Sequence, residues 1–427
     1  MTHSDRMIDE LEAGDGGGLD RWLRGRVLAR LGTIEQGRLT IQDADGEYVL
    51  GNADDALQAT VLIRDLRFWR LLAGGGSVGA AEAWMAQLFD SPDPVAVVQV
   101  LTRNRHLLDE METVAARLAN RLLGLWHAFN RNSLKGSRRN IAAHYDLGND
   151  FFAAWLDERM MYSSALYLAD DDTLERAQVN KLDRICRKLE LGPGDHLLEI
   201  GTGWGGLAIH AAEHYGCRVT TTTISQEQYE FARERVRSAG LEDRITLLTR
   251  DYRALEGRYD KVVSVEMIEA VGHQYLDTYL AKIDELLSPD GLALIQAITI
   301  EDYRYAGALK SVDFIKRYIF PGAFIPSVSA ITQSMARASR LGLVELADFG
   351  ASYARTLAAW RERFEADWER IREMGFDETF RRRWLWYLAY CEGGFRERAI
   401  SDVHLLLAGP GWRPASESGL SGGELLA

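Results

Sequence analysis

The sequence predicts an α/β chain in which a mostly parallel sheet, covered by helices on both faces, follows a small α+β domain. Three observations predict it. From about residue 189 onward strand, turn and helix patterns alternate, the signature of a parallel sheet built from βαβ units. An apolar strand runs into a glycine-rich turn that opens a helix at Leu197-Leu198-Glu199-Ile200-Gly201-Thr202-Gly203-Trp204-Gly205-Gly206. Upstream, short apolar runs alternate instead with turn signals such as Asp45-Gly46 and Gly51-Asn52.

Residues 1–18 are acidic, end in three glycines and read as a disordered lead. Residues 19–110 form the small α+β domain, with strands near 37–41, 48–50 and 60–63 and helices near 79–89 and 94–108. The second helix carries Pro94 in its first turn. Residues 111–139 are a helical linker ending in Arg131, Lys135, Arg138 and Arg139. Residues 140–409 hold the sheet, with strands expected at 196–200, 218–224, 245–249, 261–265 and 292–300. Helices are expected at 206–215, 226–239 and 275–287. Residues 410–427 are rich in glycine and serine and read as a disordered tail.

Composition excludes several classes. At 427 residues the chain is too long for one ordinary core, and 47% hydrophobic against 26% charged residues is globular. Fifty basic against sixty-three acidic residues leave a net charge of −13, which argues against nucleic acid as a partner. Cys186, Cys217 and Cys391 are odd in number and far apart, so neither a disulfide framework nor a metal site is expected. With no secretory h-region and no run of about 18 apolar residues, a cytoplasmic location is expected.

The glycine turn indicates a nucleotide-type ligand, and its details choose among them. A dinucleotide would require an acidic residue about 20 positions on, at the end of the second strand. That strand ends Thr220 to Thr223 without one. Glu199, before the loop, suits the cationic end of S-adenosylmethionine, which carries no phosphate. Asp251 and Tyr252, after the third strand, offer a carboxylate and a ring to an adenine.

Beyond the glycine loop, ordered blocks run through the chain: Ala143-His144-Tyr145-Asp146-Leu147-Gly148-Asn149-Asp150, Tyr162-Ser163-Ser164-Ala165, Thr223-Ile224-Ser225, Ser264-Val265-Glu266-Met267-Ile268-Glu269, Tyr318-Ile319-Phe320-Pro321 and Cys391-Glu392-Gly393-Gly394-Phe395. By these blocks the chain resembles the cyclopropane-fatty-acid synthase family. The resemblance implies a Rossmann-like class I methyltransferase domain that transfers a one-carbon unit from S-adenosylmethionine to the double bond of an unsaturated acyl chain, releasing S-adenosylhomocysteine. It implies that Tyr162 and Ser163 contact the methionine moiety, Gly201 and Gly203 the cofactor backbone, Thr223 and Gln228 the ribose, and Tyr252 the adenine.

In the ring-forming members a bicarbonate ion serves as base, held by a cysteine, a glutamate, a histidine, an isoleucine backbone and a tyrosine. The matching positions here are Ser164, Glu269, Gln296, Ile298 and Tyr353. Serine and glutamine can hydrogen-bond an anion but cannot carry positive charge, which argues against bicarbonate. The variant blocks resemble those of relatives that leave a methyl or methylene branch, a product that a separate reductase would saturate. Branch formation is favoured, and cyclopropane formation is the alternative. A noncatalytic lipid-binding protein and a methyltransferase of small nucleophiles are disfavoured by the cofactor positions and the family blocks respectively.

A phospholipid substrate requires apolar and cationic groups facing an anionic membrane surface. Phe314, Lys316, Arg317, Tyr318 and Phe320 are expected to supply them, making the protein peripheral on the inner face of the membrane, with a homodimer left open.

Overall fold

The computed structural model describes residues 18–105 and 147–414. The basic linker, the first half of the HYDLGND block and most of the tail lie outside them. The chain divides into two compact units. Of the described residues, the first takes in 18–105 together with Ser311–Ile319 and Trp368–Ala399, two segments that a linear division assigns to the catalytic domain.

In the first unit, strands β1 (Arg38–Asp43), β2 (Gly46–Gly51), β3 (Gln58–Ile63) and β4 (Phe89–Asp90) form a sheet of order β2-β1-β3-β4. β1 runs parallel to β3 and antiparallel to β2. The three expected strands are present. Helix Leu19–Leu31, not expected, precedes them, its buried Asp20 bound by Arg70 at 2.9 Å. The helix expected at 79–89 begins at Arg67, bends at Gly76 and stops at Met85, because Phe89 has joined β4. Helix Pro94–Arg103 starts where expected, capped by Asp93, which accepts the Ala96 N–H at 3.0 Å.

The second unit is a seven-stranded sheet in the order β10-β11-β9-β8-β5-β6-β7. Its strands are β5 (His196–Ile200), β6 (Arg218–Thr222), β7 (Ile245–Leu248), β8 (Tyr259–Val265), β9 (Leu287–Ile300), β10 (Gly342–Asp348) and β11 (Ile400–Ala408). The five expected strands are β5 to β9, all parallel. β10 and β11 extend the sheet antiparallel. Helices Gly206–His214, Gln226–Ser238 and Leu276–Leu286 lie where the periodicity places them.

Strand alternation sorts side chains into two cores. Ala293, Ile295 and Ala297 of β9 and Val403, Leu405 and Leu407 of β11 pack with helix Leu276–Leu286 on one face. Leu292, Leu294 and Leu406 pack on the other, with Leu182, Ile185 and Cys186 of helix Leu174–Lys188. Continuing the second set by twos brings Gln296 and Ile298 on β9, and Asp402 and His404 on β11, to that same face. The sheet order reverses between β5 and β8, so their carboxyl ends border the crevice where open α/β sheets bind ligands. Glu199 lies near the end of β5 and the glycine turn follows it; Glu266 follows β8.

Candidate active site

The glycine turn leaves β5 with positive φ at Gly201, Gly203 and Gly205. A Cβ on Gly203 would project into open space from a backbone at φ +52°, a conformation that L side chains rarely adopt. Gly206 has the opposite reason: a Cβ there would meet Met161 Sδ at 2.5 Å and the Arg159 carbonyl at 2.8 Å, so glycine lets the helix start approach the 159–161 segment. Glu199 is 3% exposed, and its Oε2 is buried without a hydrogen-bond partner. Burial pushes its pKa up to about 8. An arriving ammonium group would give that oxygen a partner, which fits the amino-acid end of S-adenosylmethionine. Thr223 donates to Gln228 Oε1 at 2.9 Å, and both are buried after β6. Ser225 holds them in place by capping the helix at the Gln228 N–H. These residues fit the cofactor.

Asp251 and Tyr252 sit after β7, each also held by protein partners. Both Asp251 oxygens accept from Arg253, at 2.7 and 2.8 Å. The Tyr252 ring packs edge-on to Tyr279 and lies 5.4 Å from the Arg253 guanidinium.

Tyr162 stands in an aromatic enclosure. Its ring centroid is 5.4 Å from Trp155, 5.5 Å from Phe152 and Trp360, and 6.3 Å from Phe320. Helix Gly350–Ala366 supplies Trp360 and, two turns earlier, Tyr353, with centroids 6.0 Å apart. Such π faces stabilise a nearby cation. Ser163 does not face solvent: its Oγ accepts from the fully buried Lys181 at 2.7 Å. Burial lowers the Lys181 pKa to about 8.

Beside this enclosure lies a cluster of carboxyl groups. Glu269 Oε1 accepts from the Ile298 N–H at 2.6 Å, while Oε2 is buried and unpartnered. Burial, then the nearby charge of Glu266, pushes the Glu269 pKa up to about 8. Glu266 Oε1 accepts from the Ser164 N–H at 2.8 Å and Gln296 Nε2 at 2.7 Å; its Oε2 accepts from the Tyr353 hydroxyl at 2.7 Å. Gln296 Nε2 also donates to Asp402 Oδ2 at 2.8 Å. His404 Nε2, 3.1 Å from Gln296 Oε1, carries the proton of that contact and so orients the amide. Burial drives Asp402 well above the usual carboxylate range and keeps His404 neutral.

All five expected residues of the reacting centre therefore converge. Two are used differently from expectation. Ser164 contributes its backbone N–H, its hydroxyl being spent on the Ala165 carbonyl at 2.9 Å. Gln296 bridges two carboxyl groups. Asp402 and His404 were not expected; the available signal was two titratable residues at i and i+2 in an otherwise apolar strand.

The expected membrane segment is corrected. Phe314 is fully buried, and Lys316 is 8% exposed with Nζ donating to the Ser311 carbonyl at 2.9 Å. Arg317 pairs with Glu82 at 3.1 Å, and the Tyr318 hydroxyl donates to the same carboxylate at 2.6 Å. Ile315–Ile319 winds as a π-helix that turns its cations inward. Phe320 lines the Tyr162 enclosure instead.

The family model described as mycolic acid cyclopropane synthetase matches residues 132–405. The chain is 38% identical over 396 residues to tuberculostearic acid methyltransferase UfaA1 of Mycobacterium tuberculosis, covering 90% of this chain and 91% of that protein. It is 38% identical over 357 residues to cyclopropane-fatty-acyl-phospholipid synthase of Escherichia coli, covering 80% and 86%. Among solved structures, mycolic acid cyclopropane synthase CmaA1 complexed with SAH and CTAB superposes with a TM-score of 0.59 at 29% identity, over 64% of this chain and 98% of that one. On the family match and these relatives, the chain belongs to the cyclopropane synthase family of S-adenosylmethionine-dependent transferases.

Proposed function

We propose that the chain transfers a one-carbon unit to the double bond of an unsaturated phospholipid acyl chain and leaves a methylene branch rather than a ring. When bound, S-adenosylmethionine supplies an electrophilic methyl group, and alkylation leaves a cation on the acyl chain. The aromatic enclosure of Tyr162, Trp155 and Trp360 stabilises that cation and excludes water. After a hydride shift along the chain, a C–H bond of the added carbon breaks. Its electron pair becomes the methylene double bond, and the proton goes to Glu269.

One observation carries the preference for the branch. Ser164 and Gln296 are spent on protein partners, which leaves Glu269 Oε2 as the buried carboxyl oxygen of Glu266 and Glu269 still lacking a hydrogen bond. The 38% identity to a tuberculostearic acid methyltransferase supports a branch formed by methyl transfer. A separate reductase would saturate the methylene group. The phospholipid makes the protein peripheral at the inner membrane surface. Helix Leu19–Leu31 supports this, since it exposes Leu19 and Trp22 with the Arg26 guanidinium 5.1 Å from the Trp22 ring.

The test is expression in cells fed isotope-labelled methionine, followed by proton NMR of the labelled lipids. Vinylidene protons are expected; upfield ring protons alone would reverse the choice of product.

A further inference from the structure

Glu266 occupies a backbone position suited to glycine. Its φ is +47°, in the left-handed region that L side chains rarely adopt. The turn is nonetheless tied down, the Glu266 N–H donating to the Gln296 carbonyl at 2.9 Å. What the strained position delivers is a carboxylate into three donors from three separate elements. These are the Ser164 N–H from the loop after Tyr162, the Gln296 amide from β9 and the Tyr353 hydroxyl from helix Gly350–Ala366. The donors are themselves fixed: Gln296 by His404, and Ser164 by its neighbour Ala165, whose N–H donates to Thr356 Oγ1 at 3.0 Å. A preorganised set of converging donors binds an oxyanion whether or not the anion is attached to the chain.

We propose that Ser164 N–H, Gln296 and Tyr353 form a small-anion seat that the chain fills with its own Glu266 carboxylate, and that this occupancy makes the reaction independent of an external carboxylate or bicarbonate. Asp402, sharing the Gln296 amide nitrogen, completes the seat: two carboxyl groups 2.7 and 2.8 Å from one donor cannot both stay ionised, so the pair holds a proton between them. Glu266 is a positioning residue here. It holds Tyr353 and places a negative charge beside Glu269, and it bars the seat to a mobile base that would compete with Glu269 for the proton. The consequence for product rests on the branch-forming reading above; the seat itself does not.

The test uses the full chain with Glu266→Gly, which removes the carboxylate and relieves the backbone strain, leaving the three donors around a carboxylate-sized space. Thermal denaturation is followed against sodium formate, with sodium chloride at matched ionic strength as control. Glu266→Gly is expected to gain a saturable, formate-specific rise in Tm that the parent lacks. Its turnover should fall by about 10-fold or more and be largely restored by formate or bicarbonate. Glu266→Gln keeps the seat filled without the charge, so its turnover should fall with no formate rescue. A Tm of Glu266→Gly that is indifferent to formate, or a parent stabilised equally, overturns the proposal. If Glu266→Gly does not fold, rescue of Glu266→Gln by formate overturns it, and absence of rescue together with an unchanged branch-to-ring ratio upholds it. Formate binding to Glu266→Gly with only ring product from the parent would keep the seat and reject the branch-forming reading.

Discussion

The Tyr353 hydroxyl donates to the Glu266 carboxylate at 2.7 Å, joining a helix and a strand end that lie 87 residues apart in the chain. Through this contact the aromatic side of the site, Tyr353 with Trp360 and Tyr162, is fixed relative to the acidic side, Glu266 with Glu269. A cation formed against the rings thus lies beside a base without either side chain having to move.

Removing that hydroxyl tests the link. Tyr353→Phe keeps the ring but leaves Glu266 Oε2 without this donor, a loss of about 1.5–3 kcal/mol for a hydrogen bond to a charged group. The Tm should fall, and kcat should fall without a matching change in KM for the cofactor. An unchanged kcat would show that Tyr353 serves packing alone.

The cofactor cradle is tested at Gly203. A valine there must adopt φ +52° and would direct its side chain into the open space of the turn. Gly203→Val should abolish S-adenosylmethionine binding in calorimetry, and a retained affinity would contradict the cradle.

The two basic segments separate by the same logic. Lys316→Glu with Arg317→Glu would bury one carboxylate and break the pair with Glu82, so destabilisation of about 1–3 kcal/mol is expected by denaturant unfolding. Trp22→Ala with Arg26→Glu changes exposed groups and should instead weaken sedimentation with anionic vesicles while leaving the Tm nearly unchanged. Equal sedimentation of parent and variant would remove the helix from the membrane reading.

Much of this architecture is legible in the sequence, for identifiable reasons. Strands β5 and β9 announce themselves as buried apolar runs, whereas β6 to β8 are marked by β-branched residues such as Val219 to Thr222, Ile245 and Val262-Val263. The glycine turn is legible because its conformation is local. The acidic cluster is not: Ser164, Glu266, Gln296, Tyr353 and Asp402 meet through sheet order and helix docking, which no spacing encodes. Strand β11 hides its role because Asp402 and His404 interrupt the apolar pattern that would mark a core strand. Lys316 and Arg317 mislead because charge along a sequence does not say which side of the backbone faces water. Trp368–Ala399 joins the first unit because a helix docks where its apolar face fits, whatever its place in the chain.

The base gives the sharpest test. Glu269→Gln preserves shape and can still accept from the Ile298 N–H, but it cannot take up a proton, so turnover should drop by about 10²-fold or more with cofactor affinity unchanged. In the parent the carboxyl must be ionised to act. With its pKa raised to about 8 by burial and by Glu266, activity should climb as pH rises toward and through that value. Stability moves the other way. The folded-state pKa lies above the ordinary value of 4.5, so the stabilising contribution is complete below about 4.5 and is lost as pH rises through about 8. Glu199 behaves likewise, so the decline in Glu269→Gln should be shallower than in the parent without vanishing. Lys181, depressed from 10.5 to about 8, adds stability only as pH rises beyond that point, so unfolding should be compared between pH 5 and 8. Parallel stability curves for parent and variant over that range, or a parent rate indifferent to pH, would mean that Glu269 is already ionised in the resting site, and a parent rate that falls with rising pH would mean that the proton goes elsewhere.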